Sequence, residues 1–174
     1  MAVPVTDVPA SLDELTSWHA DWSGLKAVVL GLGSTGFSAA DTLAELECSV
    51  FVVAEAAEDL RIKMCDVLGV DVLIAPAQEA FGALTAFSPD VIIVSPGYAP
   101  SHPLSQWAHS AEVPVWTDID LAWRLRDKVG APAQWILVTG TNGKTTTTQL
   151  TAHMLAAGGY RVAPCGNIGI PILD

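Results

Sequence analysis

Val91-Ile92-Ile93-Val94 contains no polar residue, so a strand built from it has to be covered on both faces. An antiparallel sheet with one wet face would show apolar–polar alternation; a parallel sheet packed between helices does not. Ala27–Leu30 and Val50–Val53 are further short apolar runs, and Val70–Ile74 is a weaker one. Helix-like spacing separates them at Thr35–Leu46, Asp59–Leu68 and Glu79–Ala86. This alternation predicts a doubly wound α/β domain with a parallel sheet. Leu104–Ala111 adds a helix and Val113–Trp116 another strand, while Thr117 and Asp120 form a capping box opening a helix to about Lys128. Ser11–Glu14 is a second capping-box candidate, which predicts a short helix with Leu12, Leu15 and Trp18 on one side.

Gly130-Ala131-Pro132-Ala133 reads as a linker, dividing the chain into domains 1–132 and 133–174. After it come a strand at Trp135–Val138, a helix at Lys144–Ala157 and the start of a strand at Arg161–Ala163, one βαβ unit in all. Residues 135–174 hold one Lys, one Arg and one Asp. So few charges, on a stretch too short for its own core, predict the opening slice of a larger domain.

Two glycine-bearing turns carry the chemistry. Gly140-Thr141-Asn142-Gly143-Lys144-Thr145-Thr146 lies between the strand and the helix. Glycines let backbone N–H groups curl toward a phosphate, and the helix N-terminus adds its dipole. The lysine reaches the β/γ-phosphates and the next hydroxyl ligates Mg²⁺. Lys144 and Thr145 are therefore the candidate catalytic pair, with ATP as cofactor held by Gly140–Thr146 and Mg²⁺ by Thr145. The loop is a shortened form of the usual pattern, since Val138 stands where the first glycine is expected. Four consecutive threonines, Thr145–Thr148, cost helix stability, which argues that folding alone did not select them.

The second turn, Gly31-Leu32-Gly33-Ser34-Thr35-Gly36, follows one apolar run and opens a helix. Such a turn admits a pyrophosphate at its middle glycine, and an acidic residue past the next strand, here Glu55, holds a ribose. A dinucleotide coenzyme is one reading; a tight turn without ligand is another. A dinucleotide-type turn beside an ATP loop points instead to a nucleoside-diphosphate substrate. Ser95-Pro96-Gly97 follows Val91–Val94, at a strand end where open α/β sheets bind ligands.

In order, Gly31–Gly36, Ser95-Pro96-Gly97, Asp118-Ile119-Asp120-Leu121, Gly140–Thr146 and Gly166-Asn167-Ile168-Gly169 resemble the Mur ligase family of bacterial cell-wall synthesis. The resemblance implies a Rossmann-like first domain that binds a UDP substrate, followed by the start of a P-loop ATP-binding domain. Asn142 together with Gly31–Gly36 favours members that add D-glutamate to UDP-N-acetylmuramoyl-L-alanine over those that add L-alanine, which have His at that place. It further implies substrate contacts from Gly33, Ser34, Thr35, Ser95, Pro96, Gly97 and Asn167, and an amide-forming reaction through an acyl phosphate. The family often has Asp where Ala54-Glu55 stands, so Glu55 either takes over the acidic role or leaves it unfilled. The acidic Mg²⁺ ligand, a carbamylated lysine and the D-glutamate site would lie beyond Asp174, leaving residues 1–174 inactive alone. A non-catalytic nucleotide-sensing module is the reading from a different class.

Nineteen Asp+Glu against eight Lys+Arg, with no basic cluster, argue against nucleic-acid binding. No apolar run reaches the length of a membrane span, and Met1–Ala10 lacks the basic residues of a signal peptide. Cys48, Cys65 and Cys165 are scattered and read as free thiols. A cytoplasmic protein, monomeric at full length, is the expectation. The four histidines, His19, His102, His109 and His153, have no metal-ligand spacing and read as surface or helix residues.

Overall fold

A computed structural model describes residues 11–174. Five strands, β1 (Lys26–Leu30), β2 (Ser49–Ala54), β3 (Asp71–Ile74), β4 (Val91–Val94) and β5 (Val115–Thr117), form one parallel sheet in the order β3-β2-β1-β4-β5. The helices between them are α1 (Ser34–Glu45), α2 (Asp59–Val67), α3 (Ala77–Phe87) and α4 (Pro103–Ser110), and α5 (Asp118–Arg124) follows β5. A last helix, α6 (Lys144–Ala157), lies in the second part of the chain.

The parallel sheet expected from the apolar runs is present, and its two faces bury different residues. Ala27 and Val29 of β1, Val52 of β2 and Val91 and Ile93 of β4 pack into a core with Leu43 and Leu121. Val28, Leu30, Val53 and Ile92 face the other way, onto Ala80, Leu84 and Leu104. Successive residues of one strand thus serve opposite cores, which is why the central strands carry no polar position. The capping box at α5 is formed: Asp120 N–H donates to the Thr117 hydroxyl at 3.1 Å, and Thr117 N–H donates to Asp120 at 2.8 Å.

Two parts of the expected pattern are absent. Ser11–Glu14 opens a series of turns rather than a helix. Its intended inward residues are nonetheless correct, since Leu15 is buried and Leu12 and Trp18 pack against the core. The reason is tertiary hydrogen bonding. Arg124 donates to the carbonyls of Leu12 and Leu15, both at 2.9 Å, and Asp127 accepts the Trp18 N–H at 2.7 Å. Backbone groups that a helix would pair internally are taken by α5 and the residues after it.

The strands at Trp135–Val138 and Arg161–Ala163 are likewise not formed, so α6 stands without the flanking strands of a βαβ unit. A strand draws its hydrogen bonds from a neighbour, and neither segment pairs with β3 or β5, the two edges of the sheet. Ile136 and Leu137 are exposed in consequence. Trp135 instead packs edge-on against Trp123 of α5, ring centroids 5.2 Å apart.

Candidate functional site

The sheet order reverses between β1 and β4, so their carboxyl ends bound a crevice of the kind in which open α/β sheets bind ligands. The glycine turn lies there. Gly31 has φ +94° and its N–H donates to the Val53 carbonyl at 2.8 Å, tying the turn to β2. Gly33 is the N-cap of α1, and the first hydrogen bond of that helix runs from Phe37 N–H to the Gly33 carbonyl at 3.0 Å. The N–H groups of Ser34, Thr35 and Gly36 precede it at the open end of the helix, where an anion is favoured.

The three glycines differ in what surrounds them. A Cβ on Gly36 would overlap the Gly31 carbonyl, and one on Gly31 would meet Tyr98 at 2.9 Å and the Ser95 hydroxyl at 3.2 Å. Gly33 has nothing within 4 Å of its Cβ position, and its φ of −75° suits any residue. Neither packing nor backbone conformation therefore requires glycine at position 33.

The expected contact residues divide between this crevice and its foundations. Ser34 is exposed and Thr35 half-buried at the start of α1. Pro96 and Gly97 are exposed after β4. Ser95 has a buried hydroxyl without a hydrogen-bond partner among the described residues, wedged beneath Gly31 and Gly36. Glu55 directly follows β2, and its carboxylate lies 3.5 Å from His102 Nε2. His102 is more than a surface residue: it caps α4 by accepting the Leu104 N–H, at 3.3 Å, on Nδ1. Its contact with Glu55 was not legible from sequence spacing, because 46 intervening positions separate them. The only local signal is His102-Pro103, a cap residue followed by proline at the first helical position.

The Gly140–Thr146 turn is also formed at a helix start. Gly143 caps α6 with φ +76°, a conformation that disfavours other residues. Thr147 N–H makes the first hydrogen bond of the helix, to the Gly143 carbonyl at 2.9 Å. The N–H groups of Lys144, Thr145 and Thr146 precede it at the helix N-terminus. Lys144 folds back over the loop, its Nζ donating to the Gly140 carbonyl at 2.5 Å and the Thr141 carbonyl at 3.4 Å. Gly140–Thr146 are all exposed, Asn142 among them.

Asn167 is exposed at the tip of a loop closed by a bridge between Cys165 and Ile170. The stem of that loop reaches the first domain. Leu173 packs against the core, and the Cys165 thiol is pushed up by burial and by the nearby Asp118 charge. Asp118 begins α5 at the carboxyl end of β5, the same end of the sheet as the glycine turn. No group of three or more His, Cys, Asp or Glu among the described residues is arranged to hold a metal. Thr145 could supply one oxygen ligand to Mg²⁺, with phosphate and water oxygens completing the shell, which suits an ion that keeps few protein ligands.

Residues 25–117 match the family model of the Mur ligase MurD-like N-terminal domain, and residues 138–171 match that of the Mur ligase middle domain. The chain is 59% identical over 174 residues to UDP-N-acetylmuramoylalanine–D-glutamate ligase of Leifsonia xyli subsp. xyli, covering 94% of this chain and 33% of that ligase. It is 47% identical over 163 residues to the ligase of the same name from Tropheryma whipplei strain Twist, again covering 94% of this chain and 33% of the relative. This chain thus spans about a third of the length of these relatives. Among solved structures, UDP-N-acetylmuramate:L-alanyl-gamma-D-glutamyl-meso-diaminopimelate ligase from Neisseria meningitides aligns with a TM-score of 0.52 and 21% identity, over 79% of this chain and 41% of that one. That likeness shows a shared fold. With its MurD-like first domain matched over more than half of its length and a middle-domain match behind it, this chain belongs to the Mur ligase family.

Proposed function

We propose that these residues provide the UDP-substrate domain and the ATP phosphate loop of a cytoplasmic ligase that adds D-glutamate to UDP-N-acetylmuramoyl-L-alanine. The observation that carries the reading is the pairing of two phosphate-competent glycine turns on one chain. One opens α1 with unobstructed space at Gly33; the other opens α6 beneath Lys144. The names of the relatives supply the substrates. Domains 1–132 and 133–174 are the division that best fits this use.

Gly33, Ser34 and Thr35 would bind the diphosphate, with Glu55, Pro96 and Gly97 along the crevice, Ser95 supporting the turn and Asn167 approaching from the second domain. The substrate carboxylate attacks the γ-phosphate of ATP, ADP leaves, and an acyl phosphate forms. The D-glutamate amine then displaces phosphate to give the amide. Lys144 would leave the Gly140 carbonyl and place its charge against the β/γ-phosphates, stabilising the negative charge that accumulates there. Mg²⁺ supplies further charge neutralisation when bound, with Thr145 as a ligand.

The test uses a ligase of full family length carrying these residues. Phosphate release from ATP should require both UDP-N-acetylmuramoyl-L-alanine and D-glutamate. Release driven equally well by UDP-N-acetylmuramate and L-alanine would assign the alternative acceptor. Nucleotide binding without phosphate release under either condition would instead support a sensing module.

A further inference from the structure

Glu55 and His102 belong to different loops, yet their side chains approach to 3.5 Å. Glu55 follows β2, and His102 stands between β4 and α4. Since β1 lies between β2 and β4, the contact has to cross the line of β1 at the end from which the Gly31–Gly36 turn departs. Tyr98 completes the crossing. Its ring packs edge-on against the imidazole, centroids 4.6 Å apart, and its Cε2 lies 2.9 Å from where a Cβ on Gly31 would be. Glu55, His102 and Tyr98 thus form a chain of contacts that ends on Gly31.

The orientation of the imidazole is set by the backbone. Its Nδ1 accepts the Leu104 N–H, so in the neutral ring the proton sits on Nε2, the atom that faces Glu55 Oε1. The His102 side chain is 22% exposed and that of Glu55 is 55% exposed: the ring is held, and the carboxylate is the open member. The 3.5 Å approach is an ion-pair-range contact, and among the described residues no hydrogen bond occupies either carboxylate oxygen.

We propose that His102 is a positioning residue for the nucleotide substrate. It anchors one oxygen of Glu55 so that the other faces the crevice and accepts a hydrogen bond from an N–H or hydroxyl of the ligand's base or ribose. The inference rests on the reading that the Gly31–Gly36 turn binds a uridine nucleotide. It adds a specificity: a neutral donor is welcomed at this point, whereas a ligand with an extra phosphate there meets the fixed carboxylate.

The experiment is calorimetric titration of the 174-residue chain with UDP. His102→Asn keeps a side-chain acceptor for the α4 cap but is too short to reach Glu55. Glu55→Gln changes an exposed residue and leaves the fold undisturbed. Each should weaken UDP binding by roughly three- to tenfold, and the double variant should lose no more than the worse single one, because both act through one contact. The melting temperature of His102→Asn should match that of the parent. UDP affinity unchanged in His102→Asn, or losses that add in the double variant, would overturn the positioning role. Gly33→Val separates this outcome from the underlying reading. If it abolishes binding while His102→Asn binds normally, the uridine site stands and the His102 role falls. A parent chain that binds no UDP removes both.

Discussion

The carbonyl of Gly31 occupies the place where a side chain on Gly36 would begin, its carbon only 2.9 Å from that Cβ position. The last glycine of the turn is therefore a packing requirement between β1 and α1, while Gly33, three residues earlier, faces open space. One motif holds two different constraints, and they separate experimentally.

Gly36→Ala should destabilise the first domain by about 3 kcal/mol or more, since overlap with backbone cannot be relieved by a rotamer change. Gly33→Ala should leave the melting temperature nearly unchanged and weaken UDP binding. Thermal denaturation and titration of both variants check this. Equal loss of stability in the two would mean that Gly33 is a structural residue as well.

Lys144 is exposed and, among the described residues, held only by loop carbonyls. Lys144→Ala should leave the melting temperature unaltered and weaken ATP binding by roughly 10- to 100-fold, the loss of a charge-assisted contact to phosphate. Near-parental ATP affinity would remove Lys144 from the phosphate site.

Burial raises the Asp118 pKa, and the Asp120 charge adds to the rise, while the N–H of Ile119 opposes it. A carboxylate with a raised folded pKa costs the fold nothing below its unfolded pKa. The cost appears as pH rises through the folded value and is complete above it. Asp118→Asn should therefore stabilise the protein at neutral pH, because a neutral amide escapes the desolvation cost that the buried carboxylate bears. The gain should vanish near about pH 3. A stabilisation that persists undiminished at low pH would assign the effect to packing.

The Cys48 thiol is pushed up to about 12 by burial, with Cys65 and Cys165 also raised. Only the thiolate reacts, so alkylation of Cys48 in the folded protein at pH 8 should run roughly 100-fold or more slower than in the denatured chain. Mass spectrometry of timed iodoacetamide labelling checks it. Rapid labelling of Cys48 without unfolding would contradict the raised thiol pKa of this partly buried residue.

Most of the first domain was legible in the residues because its signals are local. Val91–Val94 is apolar throughout since both faces of β4 are covered, and the structure bounds that strand as the residues suggest. Lys144–Ala157 likewise forms the expected helix behind its glycine cap. The glycine turns could be placed for the same reason, since each lies where one element gives way to the next.

Trp135–Val138 shows where local reading stops. Its residues favour a strand, but a strand exists only with a partner, and pairing is a property of the whole chain. Leu12–Trp18 fails differently: the inward residues were right, while Arg124 and Asp127, more than a hundred positions away, took the backbone groups a helix would need. The amino-acid sequence by itself determined the parallel α/β architecture and the places of the two glycine turns, through apolar periodicity and glycine spacing, and its ordered motifs carried the resemblance to the family. Only the tertiary structure decided that Gly36 is packed and Gly33 open, and that Glu55 meets His102 across β1. Those relations depend on the strand order, which brings β2 and β4 to opposite sides of β1 and so joins residues that no spacing in the chain connects.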